Sequence, residues 1–405
     1  MTLRASRTWL TTSVLAIGVA SLLSDACYEL IIPLLPAFLL TLGGGAAALG
    51  LVEGVADAAA AAFKLWGGQL ADHTKHRRAW AAAGYTGVGI FMPAIAFATS
   101  VAWVVALRAA AWICRGFRSP IRDTLLVDDT DPAYVNRAFG FQRALDTVGA
   151  CIGPAAAILL VAAHVPLRNA ILLGVIPGLL AGAMYIFVRE RPRTVPPREG
   201  LHIVLAALPA DFKQFLLSAG VFGLGNFSAT LLVLVAMRAL TPLVGAQHAI
   251  AYAAALYLGH NILYASLAYP ASVLSERFGS SRMLAVSFAL FCAVGVMLAL
   301  GSTSVTVVVL AFICAATGFA INDPMEGTFA TALLPAQRRG TGFGALAAVN
   351  GVGDFVSSAG VGLLWQSTGP MAAFGAAAIV CGIGLVLLLP LARRYGPVDS
   401  APHSA

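Results

Sequence analysis

Arg189-Glu-Arg-Pro-Arg-Thr-Val-Pro-Pro-Arg-Glu-Gly200 (RERPRTVPPREG) is the longest polar break in an otherwise apolar chain. Its charges keep it out of hydrocarbon, and Pro192, Pro196 and Pro197 prevent it from forming one helix. It reads as a linker. Before it the apolar stretches are roughly 12–40, 46–71, 79–99, 101–126, 138–163 and 169–188. After it they are roughly 213–237, 246–274, 283–301, 304–333, 341–366 and 371–392. Each is near the 20 or so residues that a helix needs to cross a bilayer. Short alternating segments of the kind that build membrane barrels are not visible.

Composition agrees. Of 405 residues, 59% are hydrophobic and 11% charged, against about 25% charged in an ordinary soluble domain. A chain this poor in polar groups cannot cover a water-facing surface, so lipid is its solvent. The expected architecture is an all-α membrane protein of twelve transmembrane helices in two pseudo-symmetric six-helix bundles. The expected division is 1–189 for the N-terminal bundle, 190–212 for a cytoplasmic linker, 213–392 for the C-terminal bundle and 393–405 for a cytoplasmic tail.

Charge placement checks that count, because basic residues collect in cytoplasmic loops. With an even number of spans and both termini inside, the inner segments hold Arg4, Arg7, Lys75, Arg77, Arg78, Arg137 and the five basic residues from Arg189 to Lys213. Further along they hold Arg277, Arg282, Arg338, Arg339, Arg393 and Arg394, whereas the outer loops carry Arg168 and Arg238. The net charge of +7 follows from this bias and implies no nucleic-acid partner. Residues 4–24 resemble a signal peptide, but the apolar run continues to Leu40 without a small-residue cleavage site. The six cysteines all fall within spans and form no Cys-x-x-Cys, so neither a disulfide frame nor a zinc site is expected. No cofactor is expected either; a phosphate-cradling Gly-x-x-x-x-Gly-Lys-Ser/Thr loop is missing from the sequence.

The two halves repeat weakly at a spacing of about 202 residues. Arg137-Ala-Phe-Gly140-Phe141 is answered by Arg339-Gly-Thr-Gly342-Phe343, Asp72 by Glu276, Pro132 by Pro335, Asp123 by Glu326 and Asp25 by Asn226. Two further patterns stand out. Gly68-Gln-Leu-Ala-Asp72-His-Thr-Lys-His-Arg77-Arg78 follows the second span, and Gly149-Ala-Cys-Ile-Gly153-Pro154-Ala-Ala-Ala157 lies in the fifth.

On these motifs the chain resembles the major facilitator superfamily over essentially its whole length. The loop signature after the second span keeps Gly68, Asp72 and an arginine, with His73 and Lys75 departing from the family pattern. The fifth-span signature departs at Ala157 alone. Arg108 matches an arginine on the fourth span, its glycine partner displaced to Gly116. The runs Ser24-Asp25-x-x-Tyr28-Glu29 and Gly116-x-Arg118-x-x-x-Arg122-Asp123 resemble a bacterial branch of the family. The fifth-span motif implies an exporter that exchanges solute for protons.

The motifs also have a physical reading. Gly149 and Gly153 share a helix face, where another helix can approach closely, and Pro154 permits a bend. Packing with no part in mechanism is the alternative. A carboxylate near a helix N-terminus is favoured by the helix dipole. Asp72 is therefore expected to brace the start of the eleventh span and Glu276, beside Arg277, the start of the fifth; ordinary solvated loop charges are the alternative.

Acidic groups inside spans normally face a cavity or a partner, since each costs about 2.5–3.5 kcal/mol at a helix centre. Nine lie within or at the edge of spans: Asp25, Glu29, Glu53, Asp57, Asp123, Asp146, Asp323, Glu326 and Asp354. Asp25 and Glu29 share a face of the first span, and Glu53, Asp57 and Lys64 share one of the second. Asp146 pairs in register with Arg143, and Asp354 with Asn350. Carboxyls removed from water hold protons more readily, which makes Asp25 and Glu29 the leading proton-coupling candidates and Asp57 the next. Mutual satisfaction of Asp25, Asp57 and Arg108 as buried pairs is the alternative. Asp123, Arg118 and Arg122 suggest a gate latch. Asp323 and Glu326 bracket Pro324, where the tenth span is expected to unwind or bend. Asn226, His260 and Asn261 complete the candidate cavity.

The resulting expectation is a proton-coupled exporter of a drug-like, cationic or metal-related solute, monomeric, in a bacterial inner membrane. An uptake symporter for a small metabolite and a non-transporting sensor or scaffold stay open as alternatives.

Overall fold

A computed structural model describes residues 10–130, 135–190, 208–334 and 339–395. The described chain is helical throughout its length. In order the helices are α1 (Thr12–Ile31), α2 (Leu35–Thr41), α3 (Ala46–His73), α4 (Arg77–Ala94), α5 (Val101–Asp128), α6 (Val135–Ala162) and α7 (Leu167–Leu173). They continue with α8 (Val175–Ala183), α9 (Ala210–Gly223), α10 (Ala229–Phe278), α11 (Ser280–Gly301), α12 (Val305–Leu333), α13 (Arg339–Thr368) and α14 (Pro370–Arg394).

Ten helical stretches among the described residues are long and apolar enough to cross a bilayer. Two expected spans fall outside that set for identifiable reasons. Helix α5 carries Arg108, Arg115, Arg118, Arg122 and Asp123, too many charges for its length to register as apolar. The seventh and eighth spans run together in α10, where Gly245 alone leaves helical geometry at φ 79 and ψ 160. Glycine adopts that positive φ at little cost, so the hairpin between two spans needs no loop.

The helices group into two compact units. The first comprises Met1–Gly43 and Val55–Gly200, the second Gly44–Gly54 and Leu201–Ala405. In the first, α1 packs along α6, and α4 packs on both α5 and α8. Its core gathers Val14, Ile17, Tyr85, Ile121 and Tyr185. Thr11 caps α1 by accepting from Val14 N at 3.2 Å, and Glu190 caps α4 by accepting from Arg77 N, each satisfying a donor that the helix end leaves open.

The core of the second unit is richer in aromatics. Phe222 and Phe288 stack at 3.7 Å, and Phe215 meets Phe329 edge-on at 5.1 Å. The opening of α3 belongs to this unit: a Cβ on Gly50 would lie 2.1 Å from Ser358 O, so only glycine allows that approach to α13. At the other end of the unit, Asp211 accepts from Tyr395 Oη and from Arg394 Nη1, both at 2.6 Å. The Tyr395 hydroxyl, and then Arg394, hold the Asp211 carboxyl below the usual aspartate range.

One expectation is corrected. The chain does not unwind at Pro324, since α12 is helical from Val305 to Leu333. The ring removes one backbone donor, and the helix continues around it. The break lies instead at 224–228, between α9 and α10. Gly225 sits there with Ala377 O and Cys381 N at 2.6 and 3.0 Å from where its Cβ would be. The α14 backbone therefore fills the space that a side chain at 225 would need.

Candidate functional site

In the first unit, α1 buries the polar residues Ser21, Ser24, Asp25 and Glu29. Across from them α5 presents Arg108, Trp112, Arg115 and Arg118 at helical spacing. Trp112 joins two of the groups. The Arg108 guanidinium lies 3.4 Å from its ring centre, and its indole N–H donates to Asp57 Oδ1 at 3.0 Å. Arg115 donates to Tyr28 Oη at 3.3 Å. Arg118 donates to Ser24 Oγ at 2.7 Å while lying 3.7 Å from the centre of the Tyr85 ring. Ser21 shares a hydrogen bond with Tyr85 Oη and accepts another from Gln142 Nε2 at 3.0 Å.

This is a water-poor wall of arginines laid on aromatic faces. Guanidinium is weakly hydrated and stacks well, which makes it the cation best suited to burial. Asp25, 9% exposed, lies within electrostatic reach of Asp146, Arg115, Arg118 and Glu29. Glu29 is equally buried.

Helix α6 closes the other side of these acids. A Cβ on Gly149 would lie 2.3 Å from Leu22 O and 3.0 Å from Asp25 Cβ. One on Gly153 would lie 2.5 Å from Leu30 N and 2.7 Å from Glu29 Cβ. The two glycines of the fifth-span motif thus seat α6 on α1 at the two acidic residues. Pro154 follows inside α6.

The second unit has a different site. A cavity of about 170 Å³ opens at the α9–α10 break. Its polar lining is Asn226 from the break, Asn322, Asp323 and Glu326 from α12, and Asn350 and Asp354 from α13. Phe222 and Phe319 supply its aromatic wall. Asn350 Nδ2 donates to Glu326 Oε2 and Tyr264 Oη donates to the exposed Asp323, each at 2.8 Å. Ser357 Oγ donates to Asn226 O at 2.9 Å and fixes the broken backbone. Neither Asn226 Oδ1 nor Asn322 Oδ1 accepts a hydrogen bond among the described residues. No Lys, Arg or His lines this cavity.

Comparison with known proteins decides the family. The model of the Major Facilitator Superfamily matches residues 17–259 and 216–404. The chain is a member of the major facilitator superfamily. An uncharacterized MFS-type transporter of Methanocaldococcus jannaschii is 26% identical over 380 residues, spanning 94% of this chain and 95% of the relative. Among solved structures, the nucleoside transporter NupG aligns at TM-score 0.73 and 14% identity, over 95% of this chain and 100% of that one. A bacterial homologue of the human lysosomal transporter Spinster aligns at 0.72 and 16%, over 99% and 100%. At such identities the structures attest the fold. The superfamily assignment makes the chain a multi-pass integral membrane transporter of small molecules.

Within this major facilitator fold the candidate residues fall into three groups. Asp25, Glu29, Asp57, Arg108 and Asp146 gather in the first unit; Asp146 lies 3.6 Å from Arg143. Asn226, Asp323, Glu326 and Asp354 gather around the second-unit cavity. The remainder lie elsewhere. Glu53 is in the α3 segment that packs with the second unit. His260 sits in an aromatic nest of Tyr257, Phe312 and Phe319 with Asn261 Oδ1 at 3.2 Å from its Nδ1.

Of the loop motif, Arg77 is 2% exposed and pairs with Asp128 at 2.7 Å, inside the first unit. Arg78 reaches Val188 O, Gly68 stands in open space, and Arg277 is exposed in the last turn of α10. The side chains of Asp72 and Glu276, on which the bracing expectation rests, lie outside the described residues. Arg122 pairs with its neighbour Asp123 at 2.8 Å, while Arg118 belongs to the arginine wall. Sequence reading passed over Trp112, Arg115, Tyr85, Gln142 and Asn322. The signal for the first two was available: positions 108, 112, 115 and 118 share one face of α5.

Proposed function

We propose that this transporter exchanges protons for a small solute and exports it. The observation that supports this most directly is the burial of Asp25 and Glu29 between the arginine wall of α5 and the glycine face of α6. Burial disfavours a carboxylate and neighbouring guanidinium favours it. Opposed influences of this kind let a group exchange its proton when its neighbours shift slightly. Helix α6 supplies such a neighbour, because Gly149 and Gly153 leave nothing between its backbone and the acids.

In this reading Asp25 and Glu29 carry the proton, Asp57 and Asp146 tune the field, and the second-unit cavity holds the solute. The protein acts as a monomer in a bacterial inner membrane with both termini inside, the arrangement that places its basic loops in the cytoplasm.

The test uses inverted membrane vesicles acidified by respiration, with a fluorescent dye reporting the gradient. Small amines, nucleosides and organic acids are added in turn. A transported class restores fluorescence as protons leave, and Asp25→Asn and Glu29→Gln reduce that response by more than about tenfold, the scale of a lost catalytic proton carrier. Accumulation that persists after the proton gradient is collapsed would overturn the reading. Solute-driven acidification in right-side-out vesicles would reverse the direction to uptake.

A further inference from the structure

We propose that the cavity at the α9–α10 break binds a small aliphatic primary amine. This deepens the transport reading by naming its solute class, and rests on that reading for the amine's fate though not for its binding.

The argument is an imbalance of donors and acceptors. Three carboxylates and three carboxamides line the cavity, and its lining holds no Lys, Arg or His. Part of the donor supply is already committed: Asn350 donates to Glu326 and Tyr264 to Asp323. Asn322 is 9% exposed, lines the cavity, and its Oδ1 has no donor among the described residues; Asn226 Oδ1 is in the same position. A buried acceptor left without a donor costs about 1–3 kcal/mol. The group that answers such a wall is rich in donors and has no acceptor, which describes an ammonium.

Three observations narrow the class. The cavity, about 170 Å³, falls below the roughly 300–1,000 Å³ of sites for drug-sized ligands, so it suits a solute of a few heavy atoms. Among the described residues no three of His, Cys, Asp or Glu gather closely enough to hold a metal ion, so an ammonium, which donates to carboxamides and carboxylates alike, suits the lining better than a bare divalent ion. Phe222 and Phe319 offer faces to methylene groups and to the cation itself. A broken helix beside a polar cavity is also a recurrent way for transporters to present carbonyl and amide groups to a bound solute.

The test is equilibrium binding of radiolabelled putrescine to the purified full-length protein, with unlabelled ethanolamine, 1,4-butanediol and magnesium as competitors. Putrescine is expected to bind and to be displaced by ethanolamine but not by butanediol or magnesium. Glu326→Gln is expected to weaken it by about tenfold or more, the scale of a charge-assisted contact. Asn322→Leu, of similar volume, weakens it too, and melting curves establish that each variant is folded. Trp103→Phe, at an exposed position in the first unit and outside the cavity lining, leaves binding unchanged.

Absence of putrescine binding to folded protein, equal binding in both cavity variants, or displacement by magnesium would each overturn the proposal. Proton exchange driven by a nucleoside or acid with no amine binding would sink this inference and leave the proposed function standing. Amine binding without proton exchange would do the reverse.

Discussion

The two units bury acidic groups in opposite ways. In the first, Asp25 lies within electrostatic reach of Arg115 and Arg118, and Arg108, Arg115 and Arg118 are themselves laid on Trp112, Tyr28 and Tyr85. In the second, Asp323, Glu326 and Asp354 meet carboxamides, a tyrosine and phenylalanines, with no basic residue lining the cavity. The repeat mates Asp25 and Asn226 show the contrast at one position: a charged group on a continuous helix, and a neutral one at a break. The difference teaches which groups hold the fold and which wait for a ligand. Charge balance in the first unit is internal. In the second the cavity lining supplies no basic residue.

Changes that disturb the internal balance should therefore cost stability. Arg118→Met should be the most damaging, because removing one partner from a buried charged network costs about 3–5 kcal/mol; Arg118 is 3% exposed and holds Ser24. Thermal unfolding of the purified protein measures it, and a melting point equal to wild type would break the comparison. Gly153→Leu follows at about 1–3 kcal/mol, the usual cost of overpacking, since its side chain would meet Leu30 N and Glu29. Gly360→Leu, in open space, is the matched control and should melt like wild type.

The second-unit cavity should respond with the opposite sign. Asn322→Leu removes an acceptor that has no donor and should raise the melting temperature slightly while binding falls, the trade between stability and activity common at ligand sites. Destabilisation there would show that Asn322 is structural. Gly245→Ala should cost about 1 kcal/mol, because a side chain at φ 79 is strained.

The smallest effect concerns acid. Asp211 is held below its ordinary value by Tyr395 and Arg394. Its contribution is therefore complete above the ordinary aspartate range and disappears as pH falls through the depressed value. Asp211→Asn should lower the melting temperature slightly at neutral pH and leave the acid end of a melting-against-pH curve nearly unchanged.

Much of the fold was legible because hydropathy and loop charge report the same spans independently. Helix α5 could be counted despite its arginines, since its neighbours fixed where a span had to be. The break at 224–228 was not legible: Gly223, Leu224 and Gly225 do not lower hydropathy, and the reason for the break is the α14 backbone, far away in sequence. Pro324 offered a local signal for a break that tertiary packing does not use. At the site, the four-residue spacing of Asp25 and Glu29 puts both on one face of α1, and both are buried. Which arginines of α5 face them was not legible, because α1 and α5 meet only in three dimensions. The contact between the acids and the α6 glycines was split between two motifs that sequence treats as separate.

The break between α9 and α10 has a mechanical consequence. Downstream, α10 turns through Gly245 with helix on both sides, so this region has little slack beyond the joint at 224–228. Asn226 lies in that joint and also lines the cavity. A solute that grips Asn226 would set the angle of the lever arm, making occupancy and shape a single variable.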